Sequence, residues 1–453
     1  MFGPLICLLI GVALILVLIL YFRVHAFLAL ILSAFVVALF SDRIAFDEAI
    51  GVVSGGFAGL MGNIGILLVL ASLIGKALMD SGSAERIVRS FSRLFGAREH
   101  YAYLASGSIL SITVFFDTVF YLLAPIIRSS YARKKRDYAL MVCAAGAGAA
   151  VTHALVPPTP GPLAVAQQLN VSLGSAFLIG LLASIVPIMV GGIGYARFIN
   201  SRVDITPRRV YGAEEGEMEE MAVRSDAELP ALALALSPIL LPVSLISLAS
   251  LQQTIPLAGP TGERWLNFFG HKDVALLLGF LISAWLIRRY AVDNWRKVFK
   301  SLQPAVAAGA VIAFITCGGG AFGSVLAASG VGEVIADTAD GLGVSLLSLA
   351  FLTAALLRVS QGSATVAMIT TAGIVGPALA NQTLPFHPAY LVAVIGFGAT
   401  TTSWMNDSGF WIVGQMAGLS EGETLKLWTV LLTILAFSGY FWVAVLSWLF
   451  PFV

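Results

Sequence analysis

IGKALMDSGSAERI (74–87) is matched within the same chain by AFGSVLAASGVGEVI (321–335), with Gly75 against Gly323 and Gly82 against Gly330, both at an offset of 248 residues. The same shift sets FFDTVF (115–120) against the stretch around QGSATV (361–366), and THALVPPTPGPL (152–163) falls opposite TTSWMNDSGFWI (401–412) at 249. One unit occurs twice, and the matched stretches hold nearly all the polar groups found inside the apolar parts of the chain.

Composition says what those parts are. Of 453 residues 58% are hydrophobic and 11% charged, with a mean hydropathy of +0.92. Apolar runs repeatedly exceed the roughly 18–20 residues that cross a bilayer, which makes this an all-α polytopic membrane protein with the lipid bilayer as its surroundings. Internal repetition with polar, Gly/Pro-broken segments at corresponding places is the signature of a secondary transporter whose site lies where the repeats meet. A net charge of +1 gives no concentrated basic surface for nucleic acid. Cys7, Cys143 and Cys317 have neither metal-like nor disulfide-like spacing and read as small packing residues. Nothing in the pattern calls for a cofactor, a resident metal or catalytic residues. The stretch MFGPLICLLIGVALILVLILYF (1–22) lacks a basic start and a cleavage site, so it reads as a retained first span.

Hydropathy places ten crossings, at about 2–21, 25–41, 56–79, 139–172 (broken), 175–197, 230–251, 273–289, 304–329, 388–418 (broken) and 428–449. Segment 101–127 is apolar but has Arg86, Arg89, Arg93 and Arg98 before it and Arg128, Arg133, Lys134, Lys135 and Arg136 after it. One crossing would put a basic cluster outside, so it reads as a re-entrant hairpin from the cytoplasm. Its counterpart, 343–381, follows Glu333, Asp337 and Asp340 and precedes uncharged NQTLPFHPAY, and reads as a hairpin from the other side. The predicted organisation is therefore a first inverted repeat over 1–197, a cytoplasmic linker over 198–229 with the acidic run EEGEMEE (214–220) as solvated chain, and a second repeat over 230–453.

Non-helical backbone inside a membrane protein must line a cavity or be buried, because unpaired amides in lipid are costly. Pro157, Pro158, Pro160 and Gly161 break the first interrupted helix; Asn406, Asp407 and Ser408 do so in the second by competing for backbone hydrogen bonds. Exposed half-helix N-termini attract anions. With Thr159, Ser360, Gln361, Gly362, Ser363 and Thr365 they form a candidate pocket for a polyhydroxylated anion. Four ionisable residues fall in these segments: Asp117, His153, Arg358 and Asp407. Asp117 has no cation within one helical turn and suits a proton carrier, or else a carboxylate bonded to hairpin amides. His153 serves as a second proton group, a ligand donor or a packing residue, and Asp407 as a substrate-facing group or a helix cap. Arg358 can pair a substrate carboxylate or anchor the hairpin tip.

LRVSQGSATVA (357–367), THALVPPTPGP, FFDTVF and NDSGFW (406–411) resemble the signature stretches of the gluconate permease family of sugar-acid:proton symporters, in the ion transporter superfamily. The resemblance runs from about residue 50 to 440. It implies inverted repeats with two re-entrant hairpins and two interrupted helices, a homodimeric scaffold and an elevator-like transport domain drawn mostly from 101–197 and 343–449, in the inner (plasma) membrane. One departure is visible: gluconate-type members often carry His where this chain has Thr159. Importing a monoanion against an inside-negative potential costs about 2.3 kcal/mol per 100 mV, so one proton carried along makes uptake electroneutral. Sodium coupling with a carboxylate or dicarboxylate substrate is the alternative, since hydroxyls and Asn406 offer oxygens; a channel and an intramembrane enzyme are remoter ones, the latter without HExxH or GxSG motifs.

Overall fold

An amide in hydrocarbon must find its partner within the protein, which leaves so apolar a chain only helices or a closed barrel. The computed structural model describes residues 3–203, 205–208, 225–254, 259–331, 333–334, 344–379, 384–405 and 407–452, and among them the chain is all-helical. Asn406, the run 214–220, Asp337, Asp340 and the Gln361 side chain lie outside the described residues.

Among the described residues six helices are long and apolar enough to cross a bilayer: Ala49–Asp80, Tyr138–Gln168, Leu173–Asn200, Leu232–Ala249, Trp295–Ala328 and Glu421–Leu449. A seventh span results if Pro260–Phe269 and Lys272–Tyr290, bent by 62°, count as one. The other three expected crossings correspond to shorter apolar helices, Pro4–Ile19, Ala26–Phe40 and Ala389–Thr400. The two longest helices exceed their predicted bounds. Two glycines mark where these helices meet closely: a β-carbon at Gly56 would meet Gly320 O at 2.9 Å, and one at Gly309 would meet Val69 Cα at 2.9 Å. Without a hydrophobic force between helices in lipid, small residues that let backbones approach are what hold such a pair.

The element order recurs at the offset seen in the sequence. Helices Phe116–Lys134 and Ala364–Leu379 begin 248 residues apart, as do Pro160–Gln168 and Ser408–Met416. Gly82 and Gly330, at the matched helix ends, both have left-handed φ, 75° and 73°, which a residue with a β-carbon rarely adopts.

Segment 99–134 is a helical hairpin with its tip at 111–115. Its arms run antiparallel: Glu99 pairs with Lys134 at 2.9 Å and Tyr103 with Ser130 at 2.8 Å, so the chain leaves near where it entered. Leu346–Gln361 and Ala364–Leu379 flank the second tip at Gly362 and Ser363. Between the tips lie the interrupted helices, Tyr138–Leu155 with Pro160–Gln168, and Ala389–Thr400 with Ser408–Met416. Every residue of Ala389–Thr400 is buried, and in Tyr138–Leu155 His153 alone is not.

Hairpin arms reach these central helices through bare backbone. A β-carbon at Gly107 would sit 2.7 Å from Ala145 O, and one at Gly398 would sit 2.5 Å from Phe351 O. We expect Gly107→Ala and Gly398→Ala each to lose about 1–3 kcal/mol by overpacking, read as a lower Tm of detergent-solubilised protein. Gly62→Ala, with nothing within 4 Å, should be neutral or slightly stabilising. Equal Tm values for all three variants would mean that the hairpins are not held this way.

Candidate functional site

Four helices start at one place. Phe116–Lys134, Pro160–Gln168, Ala364–Leu379 and Ser408–Met416 all present their first residues to a cavity of about 620 Å³, within the size range of small-molecule sites. A helix start leaves its first amides without internal acceptors. In the first hairpin the earliest backbone bond is Val119 N to Phe115 O at 3.0 Å, so among the described residues Phe116, Asp117 and Thr118 have no backbone acceptor for their amides. In the second, Ser363 takes Val366 N on its hydroxyl at 3.3 Å and Ala367 N on its carbonyl at 3.0 Å, leaving Ala364 and Thr365. The interrupted helices offer less than the sequence suggests. Pro160 and Pro162 have no N–H to give, and Gly161 packs against Met368. At the second break, Gly409 N already donates to Asp407 Oδ1 at 3.1 Å. The hairpin tips therefore supply most of the unpaired donors.

Among the described residues one cation lines this cavity, Arg358. Arg358 is 4% and Asp407 7% exposed, and the two form a buried ion pair. The other guanidinium arm donates to Gly362 O, tying the second hairpin tip to the second break, and Nε is buried with no partner among the described residues. Asp407 Oδ2 also accepts from Ser403 Oγ. With three donors on its carboxylate, Asp407 is an acceptor already engaged by the protein, and it faces the cavity chiefly through the arginine it holds. Charges this deep are kept only when paired and hydrogen-bonded. Asp117 lies within electrostatic reach of both Arg358 and Asp407. Among the described residues its carboxylate forms no ion pair, and both it and Thr118 line the cavity.

His153 lines the cavity from the first interrupted helix, its ring 6.0 Å from that of Phe115 and its Nδ1 buried without a partner among the described residues. Gly362, Ser363, Thr365 and Ser408 also reach the cavity. Thr159 does not: it is 2% exposed and donates to Val156 O at 2.6 Å, bracing the break from behind. Ser360 donates to Leu356 O at 2.8 Å on its own helix. Pro157 and Pro158 face a separate apolar space beside Thr113 and Phe177. Sequence reasoning missed Thr400, Trp428 and the aliphatic wall of Ala308 and Ile312; Ala308 and Ile312 belong to a helix with no local polar signal, and only tertiary packing brings them here.

Comparison with known proteins agrees with this architecture. The family model described as GntP family permease matches residues 3–449. The gluconate permease of Pseudomonas aeruginosa is 34% identical over 439 residues, 95% of this chain and 94% of that protein. The Gnt-II system L-idonate transporter of Escherichia coli is 32% identical over 438 residues, 96% and 97% respectively. In structure the chain is similar to the Alcanivorax borkumensis YdaH transporter, with a TM-score of 0.69 at 16% identity, over 94% of this chain and 99% of that one. Full-length sequence relatives that are permeases, a transporter fold and an interior cavity ringed by helix starts lead to one conclusion: this chain is a multi-pass inner-membrane transporter, not an enzyme, and it belongs to the GntP permease family.

Proposed function

We propose that the chain imports a sugar acid, gluconate or a related hydroxylated monocarboxylate, by proton symport. The observation that carries this reading is the convergence of four helix N-termini and one guanidinium on a single cavity that also holds one carboxylate without a cationic partner. Each helix start carries about half a positive charge. With the two hairpin starts and Arg358 against Asp117 and Asp407 the site is close to neutral, and one proton on Asp117 makes it positive by roughly one unit, which suits one carboxylate. Ser363, Thr365 and Ser408 provide hydroxyls for a polyol chain. The relatives named for gluconate and L-idonate support the same substrate class. Protonation of Asp117 offsets the charge of the bound acid, so the loaded site moves nearly electroneutrally.

In the same reading the two copies, 1–197 and 230–453, are inverted repeats joined by the linker 198–229. Both hairpins are re-entrant, and hairpins and interrupted helices move together, elevator-fashion, against Ala49–Asp80 and Trp295–Ala328. The chain works as a homodimer, with apolar Ile66, Leu281 and Trp285 exposed on the scaffold helices as candidate contacts.

Topology is checked by single cysteines at Ala97 and Lys135, both exposed and at the two ends of the first hairpin. Both should label from the cytoplasm; labelling of either from outside contradicts re-entry.

Substrate and coupling are checked in proteoliposomes. Gluconate and glycerate should compete for uptake better than succinate or citrate, and tenfold preference for a dicarboxylate would refute the substrate class. Asp117→Asn, which mimics the protonated side chain, should lose accumulation driven by a pH gradient yet retain counterflow, because exchange needs no net proton release. Accumulation that follows sodium and ignores pH would move the assignment to sodium coupling.

A further inference from the structure

We propose that Ser403 and Trp428 are positioning residues that hold the Asp407–Arg358 pair in its binding geometry and link it to the tip of the first hairpin. This deepens the reading of the cavity as a sugar-acid site and rests on it. The links are continuous. Trp428 Nε1 donates to Ser403 Oγ at 2.8 Å, Ser403 Oγ donates to Asp407 Oδ2, Asp407 accepts from Arg358, and Arg358 donates to Gly362 O. At the other end the Trp428 indole stacks on Phe116, ring centroids 5.0 Å apart at 26°, next to Asp117 in sequence. One chain of contacts thus joins both hairpin tips through the second break.

Ser403 is fully buried and does not line the cavity, so it cannot act by touching a ligand. Its backbone is fixed too, its carbonyl accepting from Thr429 Oγ1. Trp428 and Thr429 both sit in a π-helical turn, Leu425–Thr429, at the start of the last long helix. Such turns insert a residue into the helix and re-aim the side chains around it, and they recur at functional sites. Here the turn brings two donors to one serine.

The hydroxyl has one proton. By accepting from the indole, Ser403 is left with its own O–H for Asp407. That fixes which carboxylate oxygen Arg358 meets and holds the guanidinium in the cavity wall, where it serves the carboxylate of the ligand. Loss of either upstream donor lets the Asp407–Arg358 pair rotate and weakens carboxylate binding without touching the hydroxyl contacts.

The test uses full-length protein in proteoliposomes and whichever acid of the competition panel the wild type accumulates best. Trp428→Phe keeps the ring stack and removes the N–H; Ser403→Ala removes the relay. Each should raise KM about tenfold, the scale of a hydrogen bond acting on a charged group, with Vmax per folded transporter nearly unchanged. The rise should be the same for gluconate and glycerate, which share the carboxylate and differ in hydroxyls. The double variant should be no worse than either single one, because both break the same chain. Trp442→Phe is the control: its Nε1 donates to Leu182 O at 3.1 Å, on the outer side of the same helix, and its KM should stay at the wild-type value. Additive effects in the double variant, or a KM rise that grows with the hydroxyl number of the acid, would overturn the proposal. So would unchanged KM values with falling Vmax. A wild type that transports none of the hydroxylated acids would instead overturn the sugar-acid reading itself.

Discussion

A helix that begins inside the apolar body of a protein leaves its first amides unpaired, and this fold places four such beginnings around one space. Everything else follows from keeping that arrangement. The breaks at 156–159 and 401–407 and the tips at 111–115 and 362–363 would each be costly facing lipid. Collected around one cavity, they become its lining. The central helices are correspondingly buried on all sides, except where His153 opens onto the cavity.

The buried Arg358–Asp407 pair is the electrostatic keystone of that cavity. Removing a charge from water costs several kcal/mol, and an isolated buried pair of this kind contributes little to stability. Its persistence at 4% and 7% exposure is better explained by what it arranges: it ties the second hairpin tip to the second break and leaves one guanidinium nitrogen unpartnered. Asp117 completes the balance as the carboxylate without a cation of its own. The two acids thus have opposite surroundings, one engaged by three donors and one open to the cavity, and that difference sets their roles apart.

Much of this was legible in the residues. The offset of 248 relates the helix starts at Phe116 and Ala364, and the prolines of 156–162 fall where Tyr138–Leu155 gives way to Pro160–Gln168. Long-range pairings were not legible. Arg358 and Asp407 are 49 positions apart, and nothing in either local pattern names the other. Trp428 reads as one more apolar residue of a span. The weight given to the interrupted helices as anion donors also shifted: prolines at 160 and 162 remove amides that a bare count of half-helix starts includes, and Asp407 occupies another. Those donors come mainly from the hairpin tips, whose Ser363 cap is a local signal in the sequence.

The most direct test of this account is a structure of the transporter with gluconate bound. The account predicts the carboxylate within hydrogen-bonding distance of Arg358 and the first turn of Ala364–Leu379, with the hydroxyls toward Ser408 and Thr365. Gluconate held elsewhere, for instance in the glycine-lined groove beside Gln168 and Gly323, with Arg358 untouched, would contradict it.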